Sequence, residues 1–259
     1  MNQENSSRFI DMAQCYHRMA PYTVPHYNWM QDTVIQLLRE SDVDPERLLV
    51  DIGGGSGRFV KKYLHAFPKA NAVIVDSSPA FLKVAENHLQ EHNGRFTLID
   101  AKIEDAWESR LPASPSVIFS MSCIHHLLSE EKAEIYRRSA DLLLPGGWLI
   151  NVDEIRGYSD DAYLRHLKNW WQYGRNTESG IAPAFLEDYR QFMDHFQKWK
   201  ERNIDHADQP KTKGDDLHES VGSQLDMLKA TGLIEVDVYF SYRLWHGIAG
   251  RKRISQSTR

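Results

Sequence analysis

The feature that most constrains the fold is a glycine-rich turn between an apolar run and an amphipathic stretch. Residues 48–52 are apolar apart from one acid, residues 53–57 read Gly-Gly-Gly-Ser-Gly, and residues 58–67 carry apolar side chains at helical spacing. Glycine lets the backbone adopt positive φ and approach a ligand closely. A strand, a glycine turn and a helix in this order form the place where α/β sheets bind nucleotides. The segment therefore predicts a nucleotide-like ligand.

The rest of the chain repeats the alternation of short apolar runs with amphipathic stretches. Short strands that alternate with longer helices indicate a mainly parallel sheet that is covered by helices on both faces. A last helix over 217–230 and two closing strands, 233–240 and 243–250, predict an antiparallel pair at one edge of the sheet. Further strands are predicted at 72–75, 96–99, 117–120 and 148–152, and further helices begin at Pro79 and cover 130–144.

Composition narrows the class of protein. The chain has 259 residues and a net charge of -5, which disfavours a nucleic-acid partner because binding to phosphates requires excess positive charge. Only Cys15 and Cys123 are present, 108 residues apart, so we expect no disulfide scaffold and a cytoplasmic location. No window holds 18 consecutive apolar residues, so we expect no membrane span.

The spacing of the glycines separates two kinds of nucleotide site. The dinucleotide pattern has glycines at relative positions 1, 3 and 6. Counted from Gly53, position 6 is Arg58, whereas Gly55 and Gly57 occupy positions 3 and 5, and Asp51 precedes the turn by two residues. This acid-x-Gly-x-Gly-x-Gly turn resembles the first motif of class I S-adenosylmethionine-dependent methyltransferases.

That resemblance implies a fold, a cofactor and a set of binding residues. The fold is a Rossmann-like, doubly wound α/β sheet of seven strands in the order 3-2-1-4-5-7-6, and the cofactor is S-adenosyl-L-methionine. Asp76, 19 residues after Gly57, ends the second strand where the family binds ribose, with Ser77 beside it. Asp100 and Ala101 end the third strand where the family binds adenine.

Two further positions follow from the same resemblance. Ser120 ends the fourth strand, beside the expected place of the sulfonium, and residues 144–150 read Leu-Pro-Gly-Gly-Trp-Leu-Ile, as in the family's turn into strand five. Asp51 is expected either to anchor the glycine turn or to orient the methionine part of the cofactor. Asp76 has the alternative role of capping the helix that begins at Pro79.

The N-terminal segment is similar to the cap of the carboxy-S-adenosylmethionine synthase subgroup. Residues 24–27 read Val-Pro-His-Tyr, as in that cap, which implies that Tyr27 donates a hydrogen bond to the carboxylate of the cofactor. The alternative is a proline-broken helix that packs on the sheet.

Proton removal is the other chemistry that methyl transfer to a hydroxyl or amine requires. His125, in Ile124-His125-His126-Leu127 after strand four, is the candidate general base, because histidine titrates near neutral pH. In the family the same histidines also occur as a packing element. His125, His126 and Glu130 lack a further ligand at a diagnostic spacing, so we predict no metal.

We expect a single domain over residues 1–259 with four parts. These are an N-terminal helical cap (1–45), a cofactor-binding core (46–157), a helical lid insertion (158–214) and a final helix with a strand pair (215–259). The insertion is rich in aromatic residues at helical spacing, which indicates either a packed lid or contact with substrate. The tryptophan-rich helices are equally suited to a homodimer interface, so the oligomeric state stays open.

The sequence therefore predicts an enzyme that transfers a methyl group from S-adenosylmethionine to a small-molecule acceptor. Three alternatives remain open: an RNA- or tRNA-modifying methyltransferase, a carboxy-S-adenosylmethionine synthase-like enzyme and a non-catalytic cofactor-binding regulator. Neither the acceptor nor the acceptor atom is defined by the sequence.

Overall fold

The chain forms a seven-stranded sheet with helices on both faces. The computed structural model describes residues 3–44 and 46–254, with side chains from residue 12 onward. Strand order is β3-β2-β1-β4-β5-β7-β6, which confirms the predicted order. The strands are β1 (Leu48–Ile52), β2 (Asn71–Asp76), β3 (Phe96–Asp100), β4 (Val117–Met121), β5 (Trp148–Glu154), β6 (Ile234–Tyr242) and β7 (Trp245–Arg251).

Strands β1 to β5 run parallel, whereas β7 lies antiparallel to both β5 and β6. The central strands β1, β4 and β5 are buried on both faces because helices cover the sheet from either side, whereas the edge strand β3 is partly exposed. The helices are α1 (Gln3–Thr23), α2 (Tyr27–Glu40), α3 (Arg58–Ala66), α4 (Pro79–His88), α5 (Ser129–Leu142), α6 (Asp160–Asn176), α7 (Leu186–Lys200) and α8 (Val221–Ala230).

Two apolar cores result from the alternation of side chains along each strand. Leu49, for example, faces the core formed with α1–α4, α6 and α7, whereas its neighbour Val50 faces the core formed with α5 and α8. Parallel strands also place all their carboxyl ends at one edge of the sheet. Residues that follow β1 to β5 therefore lie near one another.

The helix predicted from residue 217 begins four residues later, at Val221. A helix from Leu217 would need the backbone N–H of Val221 to donate to the carbonyl of Leu217. This N–H donates instead to the carbonyl of Arg156, and the carbonyl of Leu217 accepts from the ammonium of Lys132. The Ser220 side chain instead accepts from the backbone N–H of Ser223 and caps the helix. The residues before the cap thus form an irregular segment that crosses the carboxyl ends of β4 and β5.

The predicted cap and insertion contact each other. Cys15 in α1 donates to the carbonyl of Asp188 in α7, and Trp170 in α6 donates through its indole N–H to the carbonyl of Thr23. Trp170 also packs edge-on against Trp199 and Trp245, with ring centroids 4.5 and 5.4 Å away. These three tryptophans thus join α6 to α7 and β7.

The division into four parts stays a prediction. Residues 1–2, 45 and 255–259 of the predicted parts lie outside the described residues. Among the described helices, none is long and apolar enough to cross a membrane.

Candidate active site

The glycine turn joins β1 to α3 and faces the carboxyl end of β2. Gly55 has a φ of +51°, and its backbone N–H donates a 2.9 Å hydrogen bond to Oδ2 of Asp76. A Cβ added to Gly55 would have no protein atom nearer than Phe81 at 3.7 Å. The turn therefore leaves an open cradle beside a carboxylate, which a nucleoside can fill.

Asp76 is the central acid of this cradle. Its Oδ1 accepts a 2.8 Å hydrogen bond from the backbone N–H of Ser78, while Oδ2 accepts from Gly55. Burial raises the pKa of Asp76, although these two hydrogen bonds act in the opposite direction. Each carboxylate oxygen keeps a further lone pair, so Asp76 can also accept from ligand hydroxyls. This arrangement fits the predicted contact with ribose.

The other predicted residues of β2 and β3 lie at the same edge. Asp76 is paired with Asp100 in the sheet register, and the backbone N–H of Ala101 donates to the carbonyl of Asp76 at 3.1 Å. Ser77 and Asp100 are exposed and Ala101 is half-buried. The structure thus brings together the residues predicted for ribose and adenine.

Asp51 and Ser120 are more deeply enclosed than the other predicted residues. Burial, together with the nearby Asp76 carboxylate, raises the pKa of Asp51 well above its usual range. The hydroxyl of Ser120 donates 2.9 Å to the carbonyl of Ile52, so this side chain links β4 to β1. The hydroxyl hydrogen of Ser120 is therefore already engaged, and Ser120 can contact a ligand only through its other atoms.

Helix α1 lies over the glycine turn. Nδ1 of His17 and Oγ of Ser56 share a 2.8 Å hydrogen bond, and Nε of Arg58 donates to the carbonyl of His17 at 2.7 Å. Tyr27, the first residue of α2, is buried, and burial raises its pKa to about 12. The neutral phenol can still donate a hydrogen bond, as the predicted role of Tyr27 requires.

His125 lies at the ends of β4 and β5, between two carboxylates. Its Nδ1 is 2.6 Å from Oδ1 of Asp153, and its Nε2 is 3.6 Å from Oδ1 of Asp216. Its backbone N–H donates to Oδ2 of Asp153 at 2.9 Å. Burial opposes a charge on His125, but the carboxylates of Asp153 and Glu154 raise its pKa well above the usual value. These carboxylates therefore favour the protonated ring.

Three more side chains complete this group, which we call the acid–histidine cluster: Asp153, Glu154, Asp216, His125, His126 and His218. His126 places Nδ1 3.3 Å from Oδ1 of Asp216. His218 places Nε2 3.0 Å from Oε2 of Glu154, and its Nδ1 is 2.6 Å from the hydroxyl of Tyr163.

The sequence predicted a role for His125 but missed Asp153, Asp216 and His218. The position of Asp153 near the end of a buried strand was a usable signal, because strand ends carry the functional groups of such sheets. Asp216 and His218 gave no local signal, since they meet His125 only through the tertiary fold.

Comparisons with known proteins agree with this geometry. Residues 50–149 match the family model described as a methyltransferase domain. A 3-amino-4-hydroxybenzoate 4-O-methyltransferase from Streptomyces cremeus is 27% identical over 152 residues, which are 56% of this chain and 40% of that protein. The chain thus spans less than half the length of this curated relative.

Solved structures show the same fold at low sequence identity. An O-methyltransferase family 2 protein from Planctomyces limnophilus, in complex with apigenin, is 18% identical with a TM-score of 0.57, and the match covers 97% of this chain and 62% of that one. Human N-acetylserotonin methyltransferase, in complex with S-adenosylmethionine, is 13% identical with a TM-score of 0.52, over 86% of this chain and 51% of that one. Residues 50–149 thus resemble a methyltransferase domain, and the chain has the class I, Rossmann-like fold of these solved structures.

Proposed function

We propose that the chain transfers a methyl group from S-adenosylmethionine to a hydroxyl oxygen of a small molecule. The observation that carries this proposal is the adjacency of two sites at one edge of the sheet. The Gly55–Asp76 cradle lies after β1 and β2, and the acid–histidine cluster lies after β4 and β5. One site suits an adenosine-bearing cofactor and the other suits proton removal from an acceptor.

The residues that would hold the cofactor are those predicted from the sequence. Asp76 would accept hydrogen bonds from the ribose, with Ser77 beside it, and Asp100 and Ala101 would lie against adenine. Gly53, Gly55, Gly57, Asp51, Tyr27 and Ser120 would surround the rest. Helix α1 closes this cradle through the contact of His17 with Ser56, which helps to exclude water.

Methyl transfer needs alignment and the removal of one proton. When bound, S-adenosylmethionine supplies a methyl group on a positively charged sulfur, and transfer forms the bond to the acceptor oxygen while the carbon–sulfur bond breaks onto sulfur. The chain must hold the acceptor oxygen in line and take up its proton. His125 is our proposed proton acceptor, and Asp153 fixes its ring through Nδ1.

The geometry adds a condition to that role. Nε2 of His125 faces Asp216, and the neighbouring carboxylates raise the pKa of the ring, so Nε2 can accept a proton only after it has lost its own. Burial raises the pKa of Asp216, but its contacts with His125, His218 and His126 lower it overall, so Asp216 is a poor acceptor for that hydrogen. We therefore propose that His125 acts as the base in the form that carries no hydrogen on Nε2.

A small-molecule acceptor fits better than RNA. The net charge is -5, and the cluster beside the cradle contains three carboxylates, which would repel a phosphate backbone. The relative from Streptomyces cremeus is named for a hydroxybenzoate, which supports a phenolic hydroxyl as the acceptor. A cytoplasmic location is also part of the proposal, supported by two cysteines that are both free thiols.

The test is an assay of turnover with a panel of hydroxybenzoates and related phenols. We expect S-adenosylhomocysteine to accumulate only with certain phenols, and we expect mass spectrometry to detect an acceptor that is one methyl group heavier. The matched control is Asp76→Ala, which should lower both signals. Accumulation with transfer RNA but with no phenol would instead assign the enzyme to RNA. Tight cofactor binding without accumulation would indicate a binding protein.

A further inference from the structure

Within the acid–histidine cluster, three side chains converge on one point from two distant segments. His125 and His126 follow β4, and Asp216 comes from the irregular segment before α8. The nitrogen and oxygen atoms that they offer all lie within 4.8 Å of one another. Oδ1 of Asp216 is 3.6 Å from Nε2 of His125 and 3.3 Å from Nδ1 of His126.

We propose that His125, His126 and Asp216 bind a divalent transition-metal ion with the ligand preferences of zinc. Zinc bonds nitrogen and oxygen ligands at about 2.0–2.1 Å, so two ligands of a tetrahedral ion are separated by about 3.3 Å. The two measured separations match that value to within a few tenths of an ångström. Two imidazoles and one carboxylate form a ligand set that leaves at least one coordination position open.

The residues behind the ligands have the arrangement that metal sites require. A metal-binding histidine usually donates its other ring N–H to a carboxylate or carbonyl, which fixes the tautomer. Nδ1 of His125 makes this contact with Asp153 at 2.6 Å, and Nε2 is thereby directed toward Asp216. The side-chain amide of Asn203 donates 2.9 Å to Oδ2 of Asp216, which leaves Oδ1 for the ion.

Charge and access favour a cation at the same point. Asp153, Glu154 and Asp216 are all buried, and buried carboxylates require compensation. The ammonium of Lys211 does not provide it by direct contact, since it donates to Oδ1 of Asn203 and to the backbone carbonyl of Asp216. The side chain of His126 is 48% exposed, so an ion has a path from solvent to the site.

A second triad in the cluster is less suited to an ion. His125, Glu154 and His218 also offer ligand atoms within 4.8 Å of one another. Both ring nitrogens of His218 already have partners, however, in Glu154 at 3.0 Å and Tyr163 at 2.6 Å. In the first triad, Nδ1 of His126 has only a longer contact of 3.4 Å with the carbonyl of Asp215 besides Asp216, so this triad is the assigned site. The sequence predicted no metal because it offered only Glu130 beside the two histidines, whereas the fold supplies Asp216.

The surface cluster of His65, Glu91 and His92 provides the internal comparison. Its ligand atoms also lie within 4.8 Å of one another, but Lys61 already places an ammonium 2.7 Å from Oε1 of Glu91. A second cation there would be repelled. We therefore expect Glu91→Gln to leave metal binding unchanged, and this variant is the matched control.

The role of the ion in catalysis rests on the proposed function, but its binding does not. An ion at this point would polarise an acceptor hydroxyl and promote loss of its proton. His125 would then act as a ligand through Nε2, which offers one lone pair and cannot also serve as a base. His125 is thus either a metal ligand or the general base, and the measurement of bound metal described next decides between these two roles.

The experiment uses the full chain without a histidine tag, stripped with a chelator and dialysed against Zn²⁺ or Co²⁺. We expect one equivalent of metal, and for Co²⁺ the visible absorption of a four-coordinate site. His126→Gln and Asp216→Asn should each weaken binding by on the order of a hundredfold or more, since loss of an outer partner alone costs about 10–100-fold. Because His126 is half-exposed, His126→Gln should fold normally, and circular dichroism checks this.

Two results would overturn the proposal. One is the absence of stoichiometric Zn²⁺ and Co²⁺ in the unmodified chain, and the other is binding that survives both His126→Gln and Asp216→Asn. Cofactor affinity, measured on the same samples, separates this proposal from the proposed function. Cofactor binding and phenol methylation without metal would reject the metal site alone, whereas bound metal without methylation of any acceptor would reject the proposed function alone.

Discussion

Gly53 packs directly against Cys123, so that a Cβ on the glycine would lie 2.1 Å from Sγ and 2.6 Å from Cβ of the cysteine. The thiol therefore occupies the space that any other residue at position 53 needs. Gly53 also has a φ of +66°, a conformation that L-residues adopt only at a cost. Two independent constraints, one steric and one conformational, thus require glycine where β1 enters the turn.

We expect Gly53→Ala to lower the free energy of unfolding by about 2–5 kcal/mol, as the sum of backbone strain and overpacking. Cofactor affinity should fall with it, because the turn is part of the cradle. Urea unfolding and calorimetric titration measure the two effects. Gly94→Ala is the matched control, since Gly94 has a φ of +84° but a Cβ there would have no neighbour within 4 Å. Gly94→Ala should lower the free energy of unfolding by only about 1 kcal/mol.

A double mutant separates the two constraints at position 53. Cys123→Gly removes both atoms that the new Cβ would meet. The double variant Gly53→Ala/Cys123→Gly should therefore regain the part of the free energy of unfolding that overpacking removes, but not the part that backbone strain removes. Cys123→Ala should recover little, because the cysteine Cβ itself lies only 2.6 Å away. If Gly53→Ala and Gly94→Ala lowered the free energy of unfolding equally, the steric argument would be wrong.

Asp76 is the second point at which the cradle can be tested. Loss of charge-assisted hydrogen bonds, worth roughly 1.5–3 kcal/mol each, should make Asp76→Ala bind S-adenosylmethionine about tenfold to a hundredfold more weakly. Asp76→Asn keeps one oxygen for the N–H of Gly55 and should lose less. Calorimetry with S-adenosylhomocysteine gives the affinities.

The exposed Asp105 supplies the control for loss of a negative charge near the third strand. Asp105→Asn should leave cofactor affinity unchanged. If Asp76→Ala also left it unchanged, the assignment of Asp76 to the ribose would be wrong.

This part of the fold can be predicted from the sequence for a physical reason. The turn at 53–57 and the strand that ends at Asp76 are formed by local signals, namely glycine spacing and two apolar runs within 30 residues. The hydrogen bond between Gly55 and Asp76 follows once β1 and β2 pair in parallel. Local pattern and sheet topology together therefore suffice to predict that the glycine turn and Asp76 lie side by side.

The other half of the candidate site, the acid–histidine cluster, depends on contacts that no local sequence pattern encodes. The sequence predicts a helix from residue 217, but the N–H of Val221, which would close its first turn, donates to the carbonyl of Arg156. The resulting irregular segment brings Asp216 and His218 to the cluster across about 90 residues of chain. Helical propensity was overridden by a tertiary hydrogen bond, and the acid that faces Nε2 of His125 was missed for the same reason.

Lys132 anchors that irregular segment from α5. Its side chain is fully buried, and its ammonium donates a 2.5 Å hydrogen bond to the carbonyl of Leu217. We expect Lys132→Met to leave this carbonyl unpaired, lowering the free energy of unfolding by about 1–3 kcal/mol. Because Asp216 and His218 flank Leu217, kcat should fall more than cofactor affinity. Steady-state kinetics and cofactor titration measure the two.

Lys252 offers a matched comparison. Its ammonium donates to the carbonyls of Ala140 and Asp141 at the end of α5, away from the cluster. Lys252→Met should therefore reduce stability but leave kcat unchanged. Equal effects of the two lysine variants on kcat would show that Lys132 has no positioning role.

The contact between α1 and α4 should make stability depend on pH. His17 and His88 pack edge to face with ring centroids 4.5 Å apart. Burial, with the nearby Arg58, lowers the pKa of His17 to about 3. Burial, with the nearby Lys61, lowers the pKa of His88 to about 4. Both rings are therefore neutral in the folded chain under conditions where the unfolded chain binds protons.

The sign of the effect follows from proton counting. Between the unfolded value near pH 6.5 and the folded values near 3 and 4, the unfolded state holds more protons, so the free energy of unfolding decreases as pH falls. Each ring contributes at most about 1.4 kcal/mol per pH unit, and less where solvent screens it. Urea unfolding at pH 7, 6 and 5 should show this slope, and His17→Gln and His88→Gln should each reduce it. His195→Gln, at an exposed position of α7, is the control for loss of a histidine. If neither His17→Gln nor His88→Gln changed the slope, these two rings would not be its source.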